Sequence, residues 1–290
     1  MIIVRLTGGL GNQMFQYATG RTLADRLNVP LKLDISDFET YLLRRYEIHD
    51  FAIRAAIADD KDLASFHVKK NRFTLWQRIL RKKNIARHDS FFYEKSFAYD
   101  DRIERLRSSA YLDGFWQSER YFLSNAHSIR SDFRLTKEVD QLNATLKDMI
   151  KSVCAVSMHI RRGDYVTNET TNRYHGLCGI DYYNRAIAYI KERVGEPHFF
   201  VFSDDHHWTK ENIICDAPTT YVTANTNDNG IFDMVLMSQC RHHIIANSSF
   251  SWWGAWLNPS QDKIVVAPER WFSGAKHDTS DLIPASWRKM

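Results

Sequence analysis

The sequence predicts an α/β fold made of two Rossmann-like domains that face a cleft. Apolar strands and helices alternate at the start of the chain and again from about residue 150 to its end, which is typical of parallel, doubly wound sheets. Residues 36–140 lack this regularity and separate the two series. We therefore expect an N-terminal domain at 1–145 and a C-terminal domain at 146–290.

The opening of the chain reads as one βαβ unit. Residues 2–6 form a short apolar strand, and three glycines in the next five positions make a tight loop. Apolar side chains at helical spacing predict a helix over 13–27. Pro30 ends that helix, and a second strand follows at 31–35.

The second series is clearer. Strands are predicted at 153–159, 198–202, 219–223, 243–246 and 263–267. Helices are predicted at 182–194, 231–239 and 251–257, with a short one after Asp205. Gly195 with Pro197, and later Pro259, end two of these helices.

Composition indicates an ordinary globular protein of 290 residues, 44% hydrophobic and 26% charged. Its formal net charge of +4 is too small to indicate nucleic acid binding. The four cysteines are scattered, which favours reduced thiols over a disulfide framework or a zinc site. No signal peptide and no bilayer-spanning run is recognisable, so we expect a cytoplasmic protein, with action at the inner face of the membrane left open.

Residues 67–88 carry eight lysines and arginines and no acidic residue. Their apolar positions fit a basic amphipathic helix. We favour a helix docked on the protein's own core with a solvated basic face. The alternative is a peripheral membrane contact.

Polar or glycine-rich motifs follow four of the predicted strands: TGGLGNQ, RRGD, SDD and NSSFS. Ligands of open parallel sheets bind beyond the carboxyl ends of the strands, so these motifs mark the expected site. Arg161 and Arg162 suit a diphosphate, because guanidinium groups bind phosphate oxygens through two donors at once. The alternative is a surface Arg–Asp pair.

Ser248, Ser249 and Phe250 precede or open a helix, whose first N–H groups can bind phosphate. Gly9 and Gly11 would let the backbone approach a sugar nucleotide. The loop is neither a G-x-G-x-x-G fingerprint nor a Walker motif.

Acidic residues leave more than one interpretation open. Asp204 and Asp205, followed by two histidines, could form a metal site, but capping of the next helix is favoured. Asp233 lies in an apolar helix and needs a partner, either a nucleobase N–H pair or an arginine. The tryptophans of SWWGAW are interpreted as core rather than as a sugar platform.

Five motifs occur in this order: MIIVRLTGGLGNQMFQYA, YLDGFWQSERYF, HIRRGDY, FVFSDD and ANSSFSWWGAWLN. Together they resemble those of bacterial α-1,2-fucosyltransferases of glycosyltransferase family 11, with HIRRGDY and NSSFSWWGAW the most specific. The resemblance implies a GT-B fold, GDP-β-L-fucose as donor and a terminal β-galactoside as acceptor. It also implies inverting transfer to the 2-hydroxyl without a metal, while the acceptor glycan, lipid-linked or free, stays open.

The same resemblance implies roles for individual residues. Arg161 or Arg162 would hold the β-phosphate, with Ser248 and Ser249 as further phosphate donors. His159 and Asp233 would bind guanine, and Asn12 would lie near the fucosyl carbon. Asp164 is the first candidate for the general base, with clamping of Arg161 as its alternative role, and Trp116 and Gln117 are expected on the acceptor side.

Two other functions stay open at this stage. A non-catalytic basic protein could bind membrane or nucleic acid through residues 67–88, which would explain the basic run but not the motifs at the strand ends. A GDP-fucose transferase acting on a protein hydroxyl would share those motifs, yet would normally carry a secretion signal.

Overall fold

The computed structural model describes residues 1–39, 44–66, 90–163, 173–174, 176–225, 229–273 and 277–290. They form two compact units. The first comprises Met1–Thr136 with Ser280–Leu282, and the second comprises Lys137–Thr279 with Ile283–Met290. The basic stretch 67–88 and Asp164 lie outside the described residues.

The first unit contains one parallel sheet. Its strands are β1 (Ile2–Arg5), β2 (Leu31–Asp34), β3 (Ala56–Ile57), β4 (Phe91–Tyr93) and β5 (Ala110–Asp113), in the spatial order β3-β2-β1-β5-β4. Its described helices are α1 (Leu10–Leu27), α2 (Asp60–Ser65) and α3 (Ala126–Asp132), and short 3-10 turns lie at Ser36–Glu39, Ile48–Asp50, Asp101–Arg105, Glu119–Tyr121 and Leu123–Asn125.

The second unit contains a longer parallel sheet. Its strands are β6 (Cys154–Ile160), β7 (Pro197–Ser203), β8 (Thr219–Val222), β9 (His242–Ile244), β10 (Val265–Ala267) and β11 (Arg288–Lys289), in the order β11-β10-β9-β6-β7-β8. Its described helices are α4 (Gln141–Ser152), α5 (Ile180–Arg193), α6 (His206–Asn212), α7 (Gly230–Gln239) and α8 (Ser249–Leu257). Helix α4 packs on α7 and β6 and so belongs to this unit.

Two parallel α/β units confirm the predicted pair of Rossmann-like domains. Every strand of the second series is present with small shifts of its ends, and so are its helices. Helix α1 begins at Leu10, inside the glycine motif, because Gly9 takes the N-cap position in an extended conformation. Trp252, Trp253 and Trp256 of α8 are buried, which confirms the core interpretation of that motif. None of the helices in the described ranges combines the length and apolar character that a bilayer crossing requires.

Candidate active site

Polar loops of the second unit meet at the carboxyl edge of its sheet. Strand β6 lies between β9 and β7, with Ile160 paired to Ser203 and Met158 paired to Ile244. The residues that follow these three strands are therefore neighbours, as the sequence predicted for RRGD, SDD and NSSFS. This edge is where open parallel sheets bind ligands.

Both arginines after β6 form ion pairs with the loop after β7. Arg161 Nη1 lies 2.6 Å from Asp204 Oδ2, and Arg162 Nε lies 3.2 Å from Asp205 Oδ2. Arg162 also stacks on the ring of Trp208, with its guanidinium carbon 3.7 Å from the ring centroid. The Arg161 side chain keeps 24% of its surface exposed, so it is not fully enclosed by the protein.

The aspartates after β7 thus position arginines and a helix. Asp205 caps α6 by accepting the N–H of Trp208 at 3.1 Å, which confirms the capping interpretation for this residue. Asp204 also accepts the backbone N–H of Arg162 at 2.8 Å. Among the described residues, no group of three or more His, Cys, Asp or Glu side chains is arranged to hold a metal ion.

His159 lies near the ion pair of Arg161 and Asp204, and one of its ring nitrogens is unsatisfied. Its side chain is buried, its Nδ1 has no hydrogen-bond partner among the described residues, and its ring lies 5.7 Å from that of Phe250. Burial lowers the pKa of His159 to about 4; Asp204 opposes that shift and Arg161 adds to it. The imidazole is therefore neutral at physiological pH.

The N-terminus of α8 completes the cluster. Ser248 occupies the N-cap position, but its hydroxyl makes no capping hydrogen bond. The first N–H groups of a helix, here those of Ser249 and Phe250, lack acceptors within the helix. Asn247 holds the loop through its amide, which donates to the carbonyls of Gly176 at 3.2 Å and Trp271 at 3.3 Å.

Asp233 forms a separate polar network on α7. Its Oδ1 accepts from Asn225 at 2.7 Å, and Asn225 exchanges two amide hydrogen bonds with the buried Asn143 of α4. Burial raises the pKa of Asp233 to about 7, and the bond from Asn225 opposes the shift. Asn225 is thus a hydrogen-bond partner of the buried Asp233 carboxylate. A contact between Asp233 and guanine stays a prediction.

The glycine motif of the first unit is organised by its polar side chains. Gly8 adopts a φ of +77°, which suits glycine, and Asn12 lies in the first turn of α1 with Gly11. Asn12 Oδ1 accepts from Gln117 Nε2 at 2.8 Å, so two predicted site residues are brought together. Trp116, expected on the acceptor side, is instead fully buried, stacked on Phe92 and edge-on to Tyr121.

Glu94, just after β4, was missed by the sequence analysis. It is half-buried and accepts the backbone N–H groups of Phe115 and Trp116. Burial raises its pKa to about 7. The available signal was an acidic residue after the apolar triplet FFY, but that strand lies in the stretch where no strands were recognised.

Comparison with known proteins gives a consistent result. The model of glycosyl transferase family 11 matches residues 1–289. An α-1,2-colitosyltransferase of Escherichia coli is 38% identical over 295 residues, covering 99% of this chain and 98% of its own. The O-antigen biosynthesis glycosyltransferase WbnK of Escherichia coli is also 38% identical, over 97% and 98%. Galactoside α-(1,2)-fucosyltransferase 1 of Rattus norvegicus is 27% identical, over 86% and 61%.

A solved structure supports the fold. A mutant of Arabidopsis thaliana FUT1 in complex with GDP matches with a TM-score of 0.51 at 12% identity, covering 93% of this chain and 71% of that one. At that identity the likeness concerns the fold, and it agrees with the GT-B type expected from the sequence.

Proposed function

The chain belongs to glycosyl transferase family 11, and we propose that it transfers L-fucose from GDP-β-L-fucose to the 2-hydroxyl of a terminal β-galactoside. The proposed reaction inverts the anomeric centre and needs no metal. The observation that carries the proposal is the cluster of His159, Arg161 and the α8 N-terminus at the ends of neighbouring parallel strands.

A nucleoside diphosphate fits this cluster in charge and in hydrogen bonding. Asp204 orients the Arg161 guanidinium, whose planar fork of N–H donors matches the geometry of phosphate oxygens. The start of α8 adds N–H donors and the positive end of a helix dipole. Charge that develops on the leaving diphosphate would then meet donors already in place.

Guanine recognition has its own candidates in the same unit. The unpartnered Nδ1 of neutral His159 suits a hydrogen bond to a nucleobase. Asp233 Oδ1 is taken by Asn225, which leaves the second carboxylate oxygen for the guanine N–H groups. That one oxygen could accept from both the N1–H and the N2–H donors of guanine, and adenine has no such pair of donors.

The relatives leave two candidates for the sugar of the donor, because one is named for colitose and another for fucose. Colitose is L-fucose without its 3-hydroxyl, so the two donors differ by one hydrogen-bonding group. A site built to bind that hydroxyl rejects the deoxy sugar strongly, whereas an apolar site discriminates weakly. We favour fucose on the motifs of the chain, and both donors belong in the test.

We assign the galactoside acceptor to the carboxyl edge of the first sheet. Asn12 and Gln117 are already hydrogen-bonded there, and amide side chains of this kind can donate to and accept from sugar hydroxyls. Trp116 would act only as the packed support of its neighbour Gln117.

The test is GDP release by the full-length protein, with GDP-fucose or GDP-colitose as donor, lactose as acceptor and EDTA present. We expect an α-1,2-linked product by NMR, turnover that EDTA leaves unchanged, and a faster reaction with GDP-fucose. Failure to transfer either sugar to any galactoside offered, together with no GDP binding by calorimetry, contradicts the proposal.

Arg161→Ala is the variant that ties this activity to the cluster. It should lose about 100- to 1,000-fold in kcat, the range seen when one donor to a developing anion is removed. Arg193→Ala is the matched control, because Arg193 pairs with Glu192 on an exposed face of the same unit. Equal turnover in the two variants would remove Arg161 from the mechanism.

A further inference from the structure

Glu94 is held in a fixed orientation at the carboxyl edge of the first sheet. It directly follows β4, where Tyr93 is paired with Asp113 at the end of β5. Its Oε2 accepts the N–H of Phe115 at 2.7 Å, and its Oε1 accepts the N–H of Trp116 at 2.9 Å. Trp116 has a φ of +57°, a conformation that costs energy for a bulky residue. That backbone bend directs two donors at one carboxylate.

The loop that holds Glu94 also holds Asn12. Gln117, one residue after Trp116, donates to Asn12 Oδ1 at 2.8 Å. Gly114, two residues before Trp116, packs so closely on Glu94 that a Cβ at position 114 would lie 2.4 Å from the Glu94 Cβ. Glu94 and Asn12 are thus joined through one four-residue loop in one unit. The loop is also tied to α1, because Gln16 donates to the Gly114 carbonyl at 3.1 Å.

The surroundings of Glu94 favour a proton-accepting carboxylate. The pKa of Glu94 is raised to about 7, chiefly by burial and with a contribution from the nearby Asp113 and Asp100, while the two N–H bonds oppose the shift. Tyr121 also faces Glu94, and Arg5 is engaged by Asp113 and Asp37. A base whose pKa lies near the working pH is both available and strong enough to remove a proton.

We propose that Glu94 is the general base of the transfer, which deepens the proposed function and rests on it. The 2-hydroxyl oxygen of the galactoside forms a bond to the anomeric carbon of fucose. The bond from that carbon to the β-phosphate oxygen breaks, and its electron pair leaves on GDP. The hydroxyl proton passes to the Glu94 carboxylate.

The experiment compares the pH dependence of kcat in the wild type, Glu94→Gln, Glu94→Asp and Asp164→Asn. Wild-type turnover should fall toward acid pH with a midpoint near the Glu94 pKa of about 7, because protonation removes the base. Glu94→Gln should lose roughly 100- to 10,000-fold and show no acid limb. Glu94→Asp should keep the limb at a reduced rate.

Asp281→Asn is the matched control. Asp281 also accepts a backbone N–H, that of Tyr99 at 3.0 Å, and belongs to the same unit. Its variant should keep the wild-type rate and profile. GDP affinity and thermal midpoint are measured for each variant. If Glu94→Gln binds GDP weakly and has a lowered thermal midpoint, the pH profiles of the wild type and Glu94→Asp test the proposal instead.

Three results overturn the proposal: wild-type turnover by Glu94→Gln, a wild-type profile with no acid limb, or a limb that disappears only in Asp164→Asn. Each is measured on a protein that transfers the sugar. A wild type that transfers nothing instead overturns the proposed function, so the two failures are distinguished.

Discussion

Burial moves three ionisable side chains away from the charge states they have in water. The pKa of Glu94 and that of Asp233 rise to about 7, while the pKa of His159 falls to about 4, and burial is the largest cause in each case. His159 therefore stays neutral, and the two carboxyl groups can hold or release a proton near neutral pH. Perturbed groups of this kind concentrate at functional sites.

Asp233→Asn should reverse a pH-dependent loss of stability. With its pKa raised, Asp233 keeps its proton in the folded state between about pH 4 and 7, where the unfolded state has lost it. Wild-type stability therefore falls as pH rises through that window, by about 1.4 kcal/mol per unit of pKa difference. An asparagine cannot ionise, so the stability of the variant relative to wild type should rise from about pH 4 to 7 and level off above that, as measured by urea unfolding.

The control lies at the other end of the same network. Asp140 caps α4 and hydrogen-bonds Asn143. These bonds lower the pKa of Asp140, so its contribution to stability is present at neutral pH and lost on acidification. Asp140→Asn should therefore shift the pH dependence in the opposite direction. The same trend in both variants would mean that neither carboxylate is the cause.

The place of a single residue could be predicted where it depends on the strand that carries it, while its role in binding stays a prediction. Arg161, Asp204 and Ser249 lie at the predicted edge because each follows an apolar strand, and parallel pairing brings such positions together. The ion-pair partner of Arg161 was not found, because Asp204 follows the next strand, 43 positions later in the chain. Asp164, considered as a clamp of Arg161 from its distance in the sequence, lies outside the described residues, so that role stays a prediction.

The GGLGNQ element shows the same limit. Its glycines stand out in the sequence, but the side chain of Gln13 makes four hydrogen bonds that fix the surrounding backbone. The Gln13 amide donates to the carbonyls of Gly8 and Arg45 and accepts from the N–H groups of Glu47 and Ile48. All four partners are backbone groups, which every residue has, so the sequence does not predict these hydrogen bonds. Strands β4 and β5 were also missed, since three or four residues are too few to establish a period.

Helix α1 packs unusually close to the sheet at Gly20. A Cβ at that position would lie 2.1 Å from Val4 Cγ2 on β1 and 3.1 Å from Leu31 Cδ1 on β2. Gly20→Ala should therefore lower the free energy of unfolding by about 1–3 kcal/mol, as overpacking does, despite the better helix propensity of alanine. Urea unfolding at neutral pH measures this difference.

Gly230→Ala supplies the comparison, because Gly230 is also helical and a Cβ there meets nothing within 4 Å. That variant should be neutral or more stable by up to about 1 kcal/mol, the propensity difference alone. A Gly20 variant as stable as the Gly230 variant would show that α1 can move away from the sheet at little cost.

At the scale of the whole molecule, the two α/β units could be predicted because each strand–helix alternation is local in sequence. That residues Ser280–Leu282 belong to the first unit could not be predicted. Within this segment, Asp281 pairs with Arg120 at 2.8 Å and accepts the N–H of Tyr99. Both partners lie more than 150 residues earlier in the chain, and a sequence pattern carries no information about such contacts.

The proposed assignment of the donor to the second sheet and the acceptor to the first gives the last prediction, which amide hydrogen exchange on the whole chain can measure. The first N–H groups of α8 lack acceptors within the helix, so a phosphate that binds them should slow their exchange. Saturating GDP should slow exchange most at Ser249, Phe250 and residues 161–163, all in the second unit. Residues 114–117, which hold Glu94 and Asn12, should respond only when a galactoside is added. Strong protection of 114–117 by GDP alone, with none at α8, would reverse the assignment of donor and acceptor to the two sheets.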